Sequence, residues 1–172
     1  MSNRKLLWLC ALGAIAAIAF AQTVTVRGAA GRGAAGAPNA DRPNARFDFH
    51  VAQFTYNDQT RVRGQFNFSF RGERLVEIAI REVGRFGANM DTGVAEFSGP
   101  AIAVIRTREG VRRERGIAFV RVQDNRGPDQ TEGDPDTLTV AFRPRPDADP
   151  IFTYRGVVKA GDIKVFERTG RR

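Results

Sequence analysis

The 172-residue sequence predicts an all-β fold, a single antiparallel β-sandwich or barrel of about eight to nine strands. Two observations carry this. From Phe47 onward, apolar and polar residues alternate with a period of two. Beyond the leader no stretch shows helical spacing, so nothing is available to cover a parallel crossover, and short turns must join antiparallel neighbours. The organising stretch is Gly116 to Pro144. There Ile117–Val122 and Leu138–Phe142 flank a turn rich in Asp, Asn, Gly and Pro, a pattern of two strands and a connecting loop.

Taken in order, residues 1–21 fit a secretory signal peptide. Arg4 and Lys5 supply the positive start, Leu6 to Phe20 the apolar run, and Ala19-Phe20-Ala21 the small residues before a cut ahead of Gln22. The run is shorter than the roughly 18 to 20 apolar residues that cross a bilayer core, so cleavage is expected rather than anchoring. The mature chain is then exported to the periplasm, cell surface or extracellular space, with no transmembrane segment. Cys10, the single cysteine, lies inside the leader, so the mature chain has no disulfide, thiolate metal site or cysteine nucleophile. Residues 22–46 read as a flexible Gly/Ala/Arg linker, with Gln22 to Val26 either an edge strand or extended chain. From Arg27 to Arg46 no apolar side chain exceeds alanine, leaving nothing to offset the entropy of ordering.

The β domain is expected over 47–168. Phe47, Phe49 and Val51 alternate with Asp48 and His50. Phe66, Phe68 and Phe70 alternate with Gln65, Asn67 and Ser69 in the cleanest half-buried strand. Leu75 to Val83 follows, then a weaker candidate from Gly84 to Met90. Gly93 to Ile105 carries Gly99-Pro100, where a missing ladder donor predicts a bulge or bend. After the central pair come Ile151 to Ala160 and Asp162 to Glu167 as two strands, and 169–172 as a basic tail.

Function is less legible. The net charge of +8 suits phosphates, anionic lipid or acidic polysaccharide, yet the arginines are spread over many segments. Nucleic acid is not an expected partner. No Gly-x-Ser-x-Gly or His-Glu-x-x-His occurs, nor any Ser-x-x-Lys beyond the leader, so no catalytic residues are assigned and a barrel-cyclase type of enzyme has no motif behind it. His50, the sole histidine, has no partner in sequence to make it a ligand or base. The loop from Asp124 to Asp136 is the densest acidic cluster. Asp124, Asp134 and Asp136 are candidate calcium ligands, since hard cations take carboxylate and carbonyl oxygens. Otherwise no cofactor is expected. Arg106, Arg108, Arg112, Arg113 and Arg115 form a basic turn, a solvated hairpin tip or a holder for sulfate, phosphate or a carboxylated polymer. Asn67-Phe68-Ser69 is formally a glycosylation sequon, placed mid-strand.

Several motifs together carry a likeness. They include Arg63-Gly64-x-Phe66-x-Phe68, Thr92-Gly93-Val94-Ala95-x-Phe97-x-Gly99, Val120-x-Val122-x-Asp124-Asn125, Asp136-Thr137-Leu138-x-Val140 and Gly156-x-Val158-x-x-Gly161-Asp162-Ile163. From Phe47 to Phe166 the chain resembles the post-COAP family of small exported bacterial β domains. The resemblance implies an all-β fold and export, and no established activity. Arg126 stands where that family usually has glycine, and the loop is longer. The expected function is a non-catalytic binding or structural module with an envelope or extracellular polymer or protein as partner. The alternative is a small-ligand barrel with a Phe-lined cavity.

Overall fold

The structure, a computed structural model, describes residues 23–126 and 133–171. The expected signal peptide lies outside the described residues, as do Asp129 and Glu132 of the acidic loop. Nine strands follow one another: β1 (Thr23–Gly36), β2 (Ala45–Tyr56), β3 (Gln59–Arg71), β4 (Leu75–Ile80) and β5 (Arg85–Asn89). After them come β6 (Val94–Thr107), β7 (Gly110–Gln123), β8 (Thr137–Arg143) and β9 (Phe152–Arg171). All pairs are antiparallel, in the order β4-β3-β2-β1-β9-β8-β7-β6-β5, and a further β4–β6 pairing closes the sheet into a ring. Among the described residues there is no helix, and so none long and apolar enough to cross a membrane.

β4 and β5 share one edge of β6. β5 pairs with Val94–Ser98 and β4 with Ala101–Arg106, so the break falls beside Gly99-Pro100. The expected irregularity at Pro100 therefore lies in its neighbour. β6 keeps continuous register with β7 through Pro100. The Ser98 carbonyl faces the shared edge, accepting from the Gly84 N–H at 2.9 Å. By alternation the N–H that Pro100 lacks would point there too, at the one place where no strand asks for it.

The expected linker is a correction. Residues 23–36 form β1, paired along its length with both β2 and β9. Small side chains there read as a lack of core-forming surface, whereas the neighbouring strands supply it. A side chain at Gly31 would come 2.8 Å from the Phe49 ring, and one at Gly28 would come 2.5 Å from the Phe166 ring. Ala29 and Ala35 are fully buried. Glycine and alanine are thus what lets the bulky rings of β2 and β9 lie over β1. The basic tail is corrected likewise, since β9 continues to Arg171 opposite Thr23. The two strands expected after Ile151 are one, bent at Gly161, whose φ of +93° lies in the region glycine enters readily. Gly33 is its cross-strand partner, and a side chain on either would strike the other strand's backbone.

The inward faces fill the ring. Phe66 and Phe68 are 0% and 3% exposed, as their alternation predicts. Phe97 from β6 meets Phe49 of β2 at 5.4 Å and Phe66 of β3 edge-on at 5.7 Å. Phe66 stacks on Phe68, which meets Tyr154 of β9 at 5.1 Å, and Phe70 packs on Phe152. Rings from four strands therefore bridge the interior, each such pair adding about 1 kcal/mol beyond its buried area. At one mouth Arg112 and Glu114, on the inward register of β7, form an ion pair at 2.7 Å.

Candidate functional site

The acidic loop resolves into a main-chain clamp. Asp136, 3% exposed, accepts the Asn125 N–H at 3.0 Å and the Arg126 N–H at 3.3 Å on Oδ1. Its Oδ2 accepts the Ile163 N–H at 3.0 Å, and Asp124 Oδ2 accepts the Val165 N–H at 3.1 Å. β8 pairs with β9 only from Phe152 to Val157, so beyond the Gly161 bend one edge of β9 has no strand beside it. Two carboxylates bind alternate amides there, as the carbonyls of a neighbouring strand would. Burial holds the Asp124 carboxyl above its usual 3.8, outweighing the Val165 amide, and the nearby Asp136 and Asp162 push the same way. Asp134 is exposed and makes none of these bonds. Among the described residues, no three His, Cys, Asp or Glu side chains gather as a metal-binding group.

The basic turn is split by strand alternation. Arg112 faces inward to Glu114, and Arg106 reaches Glu77 at 3.1 Å. Arg113 and Arg115 face outward on β7 and form one wall of a groove of about 820 Å³ on the outside of the ring. The register draws the groove row by row. One row crosses Arg115, Ile102, Ala79, Asn67, Asp48 and Arg32, from β7 to β1. The next crosses Arg113, Val104, Glu77, Ser69 and Arg46. Arg81 and Pro100 also line it.

The floor is apolar near β7, where Ala79, Ile102 and Val104 are half-buried, and polar toward β2, where Asn67 and Ser69 stand. Its charges are unbalanced. Arg32 pairs with Asp48, and Glu77 is taken by Arg106. Arg46, Arg81, Arg113 and Arg115 have no ion-pair partner among the described residues. Four guanidinium groups thus face one recess with their donors open, a field that favours anions.

Sequence reading reached Arg113 and Arg115 as members of one basic turn, a hairpin tip or an anion holder, and missed Arg46 and Arg81 altogether. Those residues lie far apart in the chain, and register alone gathers them. His50 is exposed on the outer face, across from Gln65 on β3 and Ala30 on β1, outside this groove. No known family profile, curated protein or solved structure matches the chain.

Proposed function

We propose that this chain is an exported, non-catalytic binding module whose working surface is the outer groove, presented to a polymer or protein of the bacterial envelope or extracellular space. The observation that carries the reading is the set of four arginines without ion-pair partners around a half-apolar floor. Surfaces normally intersperse both signs in balance, and a recess with an excess of one sign concentrates an oppositely charged partner. The Phe-filled interior favours this reading over a carrier of small apolar molecules, which needs an open, mouth-accessible cavity. The motif likeness to post-COAP domains belongs to the same reading, as a family of exported modules.

Cosedimentation of the purified chain with isolated envelope material tests it. The parent chain is expected to sediment and the double variant R113E/R115E to stay in solution. Equal behaviour of the two removes the groove from the function. Native mass spectrometry that finds an apolar molecule carried inside the ring transfers the assignment to the carrier.

A further inference from the structure

Resting on that reading, we propose that the groove takes an acidic glycan, a sugar polymer bearing carboxylates, laid across the strands from β7 to β2. Three features of the recess select this chemistry. Arginines stand on both walls, Arg113 and Arg115 on one side and Arg32 and Arg46 on the other. Along the second row Arg113 and Arg46 are four inter-strand steps apart, roughly 19 Å followed along the curved sheet at about 4.8 Å per step. An extended chain with repeated anionic groups meets both walls at once, and a single small anion meets one.

Between the walls the floor offers two surfaces. Asn67 and Ser69 have side chains without hydrogen-bond partners among the described residues, so amide and hydroxyl groups stand ready for sugar hydroxyls. Ala79, Ile102 and Val104 give a shallow apolar strip that suits the C–H face of a sugar ring. Other polyanions fit less well. Single-stranded nucleic acid binds by stacking its bases on exposed aromatic rings, and the aromatic rings beneath this groove, Phe47 and Phe68, are each 3% exposed. An anionic bilayer favours a protruding cationic face with apolar side chains that insert. Here the arginines line a recess, and the exposed large apolar residues Phe54, Phe119, Val111 and Ile151 lie outside it.

Binding of the parent chain to polygalacturonate, polyglutamate, neutral dextran and phosphatidylglycerol vesicles, in calcium-free buffer of low ionic strength, decides the matter. Polygalacturonate is expected to bind more tightly than the other three, and the affinity to fall as salt screens the arginines. R113E/R115E should weaken it by about tenfold or more, with R113Q/R115Q as the milder pair if the charge reversal unfolds the chain. Asn67→Ala should weaken polygalacturonate several-fold and leave polyglutamate unchanged. Equal affinity for polyglutamate with N67A inert overturns the glycan in favour of bare charge. Tighter binding to the vesicles overturns it in favour of a lipid surface. If polygalacturonate fails while R113E/R115E still abolishes envelope cosedimentation, the ligand class is wrong and the binding module stands. Failure of both removes both.

Discussion

At the residue scale the most consequential side chain is Asp136. Its two oxygens serve three backbone donors at the junction of β7, β8 and β9, in a site closed to water. Asp136→Ala strands those donors and should cost about 3 kcal/mol in chemical unfolding, whereas Asp136→Asn keeps one acceptor and should cost less. Equal stability of D136A and the parent would show the clamp to be ornamental. Asp124 makes a pH prediction. Burial raises its carboxyl above 3.8, so the folded chain holds that proton more tightly than the unfolded chain does. The stability this brings is present below pH 3.8 and is lost as pH rises through the raised value. Asp124→Asn retains an acceptor for Val165 without the charge. Its melting temperature relative to the parent should therefore climb from acid to neutral pH, and a pH-independent difference would refute the assignment. Burial likewise pushes the Tyr154 phenol up to about 12 from 10.0, so ultraviolet titration should show one tyrosine ionising near pH 12 in the folded protein. Calcium remains testable at Asp124, Asp134 and Asp136. A bound ion raises the melting temperature over that in chelator, whereas carboxylates engaged only with amides leave it unchanged, which is the outcome expected here.

At the scale of elements, β1 changes most between sequence and structure. It supplies both ladders that join β2 to β9. A chain beginning at Asn44 lacks it, leaving two long unpaired edges in place of a closed ring. Such a chain should fail to give the parent's cooperative melt and should aggregate; a soluble, cooperatively melting product would restore the linker reading. Gly31→Val tests the same strand more gently. The added methyls enter the space of the Phe49 ring, and overpacking of this kind costs about 2 kcal/mol. β4 and β5 show the complementary device, one strand position divided where Pro100 supplies no donor. The β2–β3 hairpin turns through Asn57 and Asp58 at φ of 45° and 59°, the left-handed pair that a two-residue hairpin requires.

For the whole molecule, one ring with one aromatic core predicts a single unfolding transition, the same by circular dichroism and by fluorescence of the buried tyrosine. R113E/R115E should leave that transition within about 0.5 kcal/mol of the parent, because both side chains are exposed and make no ion pair among the described residues. Alternation alone sufficed for the strands from Phe47 to Phe142, for their antiparallel pairing, and for the inward placing of Phe66 and Phe68, because burial on one face of a pleated strand imposes a period of two on any chain. Asp124 and Asp136 stood out as unusual in an otherwise basic sequence, though two of the amides they bind, those of Ile163 and Val165, belong to a strand 27 and 41 residues further on. Three matters were decided only in space. A Gly/Ala strand is indistinguishable from a linker until neighbouring rings are seen to cover it. Closure through β4 and β6 depends on the accumulated twist of the whole sheet. The groove exists because register lines up Arg46, Ser69, Val104 and Arg113, residues that no local pattern connects. Local chemistry is written along the chain, and a site assembled across strands is set by which residues stand opposite one another.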